Sequence, residues 1–148
     1  MRIPFKLLDI EGDGFHAMIQ GKINGMEANF LIDTGASRSV FDIHAITAYI
    51  PQPKLVKKES ITAGIASSDF EIYTFIIENL ELGDIVMHQY EAAAVDLEEV
   101  HDSYQKIGLP FIVGIIGGDL LVKLKATINY RLRTIRFTKP RSVVKRSK

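Results

Sequence analysis

The segment Phe30-Leu31-Ile32-Asp33-Thr34-Gly35-Ala36-Ser37 places an acidic residue at the end of an apolar run with strand character. Burying an ionised carboxylate without a partner costs on the order of several kcal/mol, so Asp33 needs a structural or a chemical task. Asp and Gly are common in turns, and one interpretation is that Asp33 caps the tight turn Thr34-Gly35. The other is that Asp33 carries chemistry.

Short strands and turns surround this segment. Asn24-Gly25 is typical of a type I′ hairpin turn, and it leads into a strand over residues 28–32. The apolar patterns predict further strands over 3–10, 15–19, 60–63, 70–77, 80–82, 85–95, 112–116, 126–130 and 134–137. Helical spacing predicts two short helices, over 42–50 and 119–125, while the polar stretch 98–106 predicts a loop. The pattern indicates a mostly β domain, closed or partly closed into a barrel, with one or two short helices.

A second apolar segment that ends in glycines lies about eighty residues downstream: Ile115-Ile116-Gly117-Gly118-Asp119-Leu120-Leu121. With Leu31-Ile32-Asp33-Thr34-Gly35-Ala36, it resembles the paired signatures of the aspartic peptidase family, in its single-domain, retropepsin-like branch. Two signatures in the right order are much stronger evidence than one. The resemblance covers about residues 15–137. It implies one retropepsin-like domain over 1–148, with the barrel of the acid-protease type and a basic tail over 138–148.

The resemblance implies an aspartic endopeptidase. Such enzymes hydrolyse peptide bonds with two carboxylates that share one proton, because two like charges so close together cannot both ionise cheaply. This chain has a single Asp-(Thr/Ser)-Gly tripeptide, so a second copy must supply the partner Asp33. We therefore expect a two-fold symmetric homodimer that acts on a peptide or protein substrate, without a cofactor or metal.

Further site residues follow from the same resemblance. It implies that Asp33 is catalytic, that Thr34 bonds across the dimer axis, and that Gly35 allows close approach of backbone and substrate. Ala36 stands where pepsin-like members carry a hydroxyl residue. One hydrogen bond fewer to the ionised pair predicts a mildly acidic to near-neutral optimum.

The intervening and downstream residues complete this prediction. The small residues Ala63, Gly64, Ile65 and Ala66 lie where the family places its substrate-covering flap, and Ile65 is a candidate substrate contact. Ile116, Gly117 and Asp119 belong to the second signature. The resemblance implies that a side chain at Gly117 would collide with the Asp33 loop, and we expect Asp119 to cap or brace the short helix. Gly118 departs from retroviral members, which commonly carry Arg there, and leaves the support of the dimer unexplained.

Composition excludes several other functions. The four His residues are widely spaced and no Cys is present, so neither a zinc motif nor a disulfide is expected. No Gly-rich phosphate loop followed by Lys and no Gly-x-Ser-x-Gly elbow is present. The longest apolar stretch, 111–122, contains Asp119 and is too short to cross a bilayer. We expect no signal peptide and no membrane partner, and the absence of Cys favours the cytoplasm.

Charge is distributed unevenly along this neutral chain. Residues 131–148 hold 8 of the 18 basic residues and no acid. No Lys or Arg lies between Lys58 and Lys106, whereas ten acids lie in that segment from Asp69 to Asp102. The basic tail is not interleaved with aromatic residues in the manner of a nucleic-acid-binding segment, so no nucleic-acid partner is predicted. Two interpretations of the tail stay open: a solvated terminus, or pairing with the acidic middle of the same or a partner chain.

Two other functions compete with the peptidase. A catalytically silent, retropepsin-like dimerisation or peptide-binding module would keep the barrel without cleavage. An Asp-phosphorylated phosphotransfer protein would also present an Asp loop of this kind, but the sequence lacks a second acidic cluster for magnesium at the expected strand ends.

Overall fold

The computed structural model of the chain describes residues 1–58 and 71–140. In chain order the strands are β1 (Arg2–Pro4), β2 (Lys6–Asp9), β3 (Phe15–Ile23), β4 (Met26–Ile32), β5 (Val40–Asp42), β6 (Val56–Lys58), β7 (Ile72–Leu82), β8 (Ile85–Val95), β9 (Gly114–Ile116), β10 (Thr127–Asn129) and β11 (Thr134–Arg136). The helices are α1 (Glu98–Lys106), α2 (Gly118–Lys123) and a single 3-10 turn at Ala45–Ala48.

Six of these strands close into a barrel in the order β3-β4-β9-β5-β8-β7, with β7 pairing back onto β3 through Ile23 and Leu80. β2 pairs with β3 and β6 pairs with β7 beside the ring, and β1, β11 and β10 form a separate three-stranded sheet. The β3–β4 hairpin turns through Asn24 and Gly25, whose φ angles of 50° and 84° are those of the predicted turn. The closed barrel with short helices confirms the predicted fold class.

The barrel is filled by aromatic and branched side chains from alternating positions of its strands. Phe41 is the centre, making edge-to-face contacts with Phe30 and Phe75 at ring-centroid distances of 5.9 and 6.1 Å. A second, smaller cluster lies outside the barrel and contains Leu31 and Tyr104 together with Leu8 and Ile112. Since Leu31 is two residues before Asp33, this outer cluster supports the strand that carries the Asp33 loop.

The predicted loop over 98–106 is wrong: these residues form α1. Val100 and Tyr104 are the only apolar residues within α1, and both pack into the outer cluster, where Tyr104 is buried. Their i, i+4 spacing is helical, and Glu98 and Glu99 in the first turn suit the positive end of the helix dipole. The high polarity of the segment hid this period, because the other side of α1 faces solvent.

Several element boundaries also differ from the prediction. The predicted strand 3–10 is two strands in different sheets, β1 and β2, with the buried Phe5 between them. The predicted strands 70–77 and 80–82 are the one long strand β7, and the predicted helix over 42–50 is only the 3-10 turn. β9 begins at Gly114, two residues later than predicted. Ile112 and Val113 are buried, as their apolar character predicts, but they lie outside any strand.

Of the helices in the described residues, none has both the length and the apolar character needed to span a membrane.

Candidate active site

The loop that carries Asp33 is a crossing between two strands of the barrel. The chain leaves β4 at Ile32 and returns on β5 at Val40, and β9 lies between these two strands. β9 runs parallel to β4, with Ile32 opposite Ile116, and antiparallel to β5. The ladder continues one step beyond β4, because the backbone N–H of Asp33 donates to the carbonyl of Ile116 at 2.9 Å. The sheet thus anchors the backbone at the start of the loop.

Asp33 is exposed in the single chain, as are Thr34 and Gly35, while Ala36 is half-buried. Its Oδ1 accepts the N–H of Gly35 at 2.9 Å, and its carbonyl accepts the N–H of Ala36 at 3.1 Å. Asp33 therefore caps this turn, and it does so with one carboxylate oxygen. Within residues 1–58 and 71–140, the structure gives no donor to Oδ2. Because Asp33 is exposed in one copy of the chain, the cost of burying its ionised carboxylate, which the sequence led us to expect, does not arise there.

Gly117 lies where the second signature passes under the Asp33 loop. A Cβ atom built on Gly117 would be 2.6 Å from the carbonyl oxygen of Ala36 and 2.9 Å from that of Arg38. Both obstacles are backbone atoms, so no side-chain rotation could relieve the overlap. Its φ of −108° is accessible to any residue. Glycine is required at this position for space, as expected from the sequence, and not for backbone freedom.

Asp119 and the Asp33 loop are joined by a dense set of hydrogen bonds. Oδ1 of Asp119 accepts the N–H of Ser39 at 2.8 Å, the hydroxyl of Ser39 at 2.6 Å and the N–H of Leu120 at 2.8 Å. The backbone adds two bonds, from Gly118 N–H to the Ala36 carbonyl at 2.7 Å and from Asp119 N–H to the Ser37 carbonyl at 3.1 Å. Asp119 thus binds the first turn of α2 and the far end of the Asp33 loop with the same oxygen.

Ser39 is the residue of this site that the sequence did not single out. Its side chain is only 2% exposed, and its hydroxyl accepts the N–H of Gly117 at 2.9 Å while it donates to Asp119. Ser37 and Ser39 look alike in the sequence. A two-residue period counted back from Phe41 places both of them on the interior face, so it does not separate them. The structure shows that Ser39 is buried and that Ser37, further from the start of β5, is exposed.

Tyr90 of β8 is half-buried next to this network. The pKa of Tyr90 is raised to about 12, mainly by burial and to a smaller extent by the Asp119 carboxylate, while Arg38 opposes the shift. The phenol therefore stays neutral at every pH at which a peptidase works, and it packs edge-to-face on Phe41. Tyr90 therefore acts here as an uncharged packing residue and takes no part in acid–base chemistry.

Two grooves of the described surface lie away from Asp33. One of about 560 Å³ is lined by Asp42, His44, Ala45, Glu98, His101 and Phe111, and the Asp42 carboxylate in it is already occupied by three backbone N–H groups, of His44, Ala45 and Leu97. The predicted flap residues Ala63, Gly64, Ile65 and Ala66 lie outside the described residues. Over the described part of the chain, no three His, Asp or Glu side chains are grouped closely enough to hold a metal ion.

Comparisons with known proteins agree with this geometry. The family model described as aspartyl protease matches residues 19–120, a span that includes the Asp33 loop and Gly117. The comparison with curated proteins found no match.

Three solved structures share the fold. A retropepsin-like aspartic protease from Rickettsia conorii is 15% identical with a TM-score of 0.52, over 91% of this chain and 87% of that one. The retroviral protease-like domain of Ddi1 from Leishmania major is 13% identical with a TM-score of 0.54, over 81% and 86%. EIAV protease, solved with the inhibitor HBY-793, is 18% identical with a TM-score of 0.55, over 77% and 92%. The closed barrel of this chain is therefore a retropepsin-like fold. Because the family model spans well over half of the sequence, this chain belongs to the aspartyl protease family.

Proposed function

We propose that this chain is an aspartic endopeptidase that works as a homodimer, with one Asp33 from each copy forming the catalytic pair. The observation that carries the proposal is an exposed carboxylate on a loop that the sheet and the second signature hold in place. The sequence contains only one Asp-(Thr/Ser)-Gly, so one copy supplies half of a dyad. The exposed loop residues Thr34 and Gly35 are available for contact with the same loop of a second copy.

The chemistry needs no group beyond the two carboxylates and water. The ionised Asp33 removes a proton from the water as its oxygen attacks the scissile carbonyl carbon, and the protonated Asp33 gives its proton to the carbonyl oxygen. The resulting tetrahedral diol collapses when the C–N bond breaks: the amine nitrogen takes the proton from the Asp33 that now holds it, and the other Asp33 takes a proton from a diol hydroxyl. One water is consumed, and the products are a carboxylic acid and an amine. The pair shares one proton in its active state, so activity should follow a bell-shaped pH profile.

An extended peptide fits this arrangement best. A dyad on a two-fold axis is reached by a chain that crosses both copies, and a backbone bound as an added strand satisfies its N–H and C=O groups. The predicted flap residues 63–66 would cover such a substrate. The dimer, the substrate class and the flap role stand together in this proposal.

The primary test is cleavage of a mixed peptide library at several pH values by wild type and by Asp33→Asn. A peptide mimic with a hydroxyl at the scissile position serves as the second control, because it resembles the diol. We expect cleavage that both controls abolish. Activity that persists in a clean Asp33→Asn preparation contradicts the catalytic role, and no cleavage at micromolar concentrations favours the silent peptide-binding module.

Mixing tests the shared dyad directly. If each active site needs Asp33 from both copies, an equal mixture of exchanged wild type and Asp33→Asn has about a quarter of the activity of wild type at the same total concentration, because about a quarter of randomly formed dimers are fully wild type. An active single chain would retain about half of that activity. A value near one half therefore contradicts the homodimeric dyad while leaving the peptidase function intact.

A further inference from the structure

Ser39 is a buried hydroxyl whose bonds all run towards the second signature. Burying a hydroxyl without partners is unfavourable, yet here the oxygen both donates, to Asp119, and accepts, from the N–H of Gly117. The backbone N–H of Ser39 goes to the same Asp119 oxygen. One residue thus fills three hydrogen-bonding roles between two loops that are far apart in sequence.

The two ends of the Asp33 loop are held by different means. At its start, the β4–β9 ladder and the bond from Asp33 N–H to Ile116 fix the backbone. At its far end, β5 pairs with β9 through Val40 and Phe41. Two backbone bonds, from Gly118 N–H to Ala36 and from Asp119 N–H to Ser37, also hold the loop, and Ser39 adds its own bonds to Asp119 and Gly117. The start of the loop is therefore held by the sheet alone, whereas its far end is held by backbone bonds together with the buried Ser39 side chain.

We propose that Ser39 is a positioning residue for Asp33, holding the loop, through Asp119 and the Gly117 N–H, at the height where the Asp33 carboxylates of two copies share one proton. This inference rests on the proposed peptidase function. A misplacement of about 1 Å in a catalytic group costs roughly 10²-fold in rate, so a small loop shift has a large kinetic effect. Losing the hydroxyl leaves the Gly117 N–H without its acceptor and removes a charge-assisted bond to Asp119.

The pH profile of kcat/KM distinguishes a substitution that moves the Asp33 carboxylates apart from one that only lowers the stability of the fold. When two carboxylates are close, their coupling pushes the two titration steps of the pair apart and makes the active pH range wide. If the loops move apart, the coupling weakens, the two steps converge and the bell of kcat/KM against pH becomes narrower. A substitution that only lowers the stability of the barrel leaves the bell width of the folded enzyme unchanged.

The experiment compares kcat, KM and pH profile of the full chain for four variants. Ser39→Ala should lower kcat about 10²-fold with KM changed less than about threefold, and narrow the bell. Asp119→Leu, which removes the acceptor at an exposed position, should do the same, while Asp119→Asn keeps an acceptor oxygen and should stay within about threefold of wild type. Ile23→Val, at the opposite end of β3 and β4, is the stability control, since it loses one buried methylene far from Asp33.

Each outcome decides the inference. A kcat and bell width like those of wild type in Ser39→Ala, or in Asp119→Leu if Ser39→Ala fails to fold, would overturn it. An equal loss of kcat in Ile23→Val would overturn it as well, because the effect would then be general destabilisation. If wild type itself cleaves no better than Asp33→Asn, the proposed function has failed; an active wild type with an unchanged Ser39→Ala removes the positioning role alone.

Discussion

Gly117→Ala is the substitution whose consequences the geometry specifies most sharply. The new Cβ would lie 2.6 Å from the Ala36 carbonyl oxygen and 2.9 Å from that of Arg38, whereas ordinary contact begins at 3.4 Å. The Asp33 loop must therefore rise by about 0.8 Å, and the barrel offers no side chain that could give way instead.

The magnitude follows from this shift. Overpacking of this kind costs about 1–3 kcal/mol in the free energy of unfolding, which lowers Tm by about 3 °C per kcal/mol for a chain of this size. The shift also weakens the bond from Gly118 N–H to Ala36 and displaces the Asp33 carboxylate by nearly 1 Å. We therefore expect a loss in kcat of about 10²-fold on top of the loss in stability.

Gly118→Ala is the matched control, because it adds the same atom one residue along the chain. Its Cβ would meet the Ala36 carbonyl oxygen at 3.5 Å, an ordinary contact, and alanine favours the helix that begins there. Chemical denaturation and peptidase assays on both variants measure the difference. Equal stability and equal activity of Gly117→Ala and Gly118→Ala would refute the close-approach reasoning.

Three further predictions concern the support around the site. Tyr104→Phe removes the hydrogen bond between the Tyr104 hydroxyl and Nδ1 of His16 and should lower the free energy of unfolding by about 1 kcal/mol. Urea denaturation measures this change, and an unchanged midpoint of the urea transition would mean that the bond contributes nothing to the packing of α1. Mainly through burial, the pKa values of Tyr90 and Tyr104 are raised to about 12 from the ordinary 10, so the stability that their neutral forms contribute is complete below about pH 10 and lost as pH rises towards 12. Absorbance titration at alkaline pH should show both phenols ionising near pH 12, and their ionisation near pH 10 would contradict the burial. Asp42→Ala should lower the free energy of unfolding by about 2–3 kcal/mol, because the backbone N–H groups of His44, Ala45 and Leu97 lose their acceptor. A thermal scan that shows no decrease in Tm would indicate that water replaces the carboxylate.

α1 shows where reading a single sequence reaches its limit. The segment has only Val100 and Tyr104 as apolar residues on its own face, and it folds as a helix because Tyr104 fits into a cluster with Leu31 and Ile112. Leu31, like Leu8 of the same cluster, lies far away from Tyr104 in sequence. Tertiary contact therefore overrode a local pattern that indicated a loop.

Ser39 and Asp33 show the same limit at the site. The sequence marks Asp33 by its place in a signature, but its exposure follows from the ladder between β4 and β9, which no local pattern reveals. Ser39 is buried because the barrel closes over the face that it shares with Phe41, while the neighbouring Ser37 stays outside.

By itself, the sequence determined the features that depend on neighbouring residues. The Asn24-Gly25 turn needs positive φ at two positions, the strands need alternation, and the pair of segments around Asp33 and Gly117 was sufficient to predict the family. Only the tertiary structure decided which strands pair, and thus that β9 lies between β4 and β5 and that the Ala36 carbonyl excludes a side chain at Gly117. The physical reason is that pairing and close packing join residues about eighty positions apart, and their free energy depends on the whole barrel being closed.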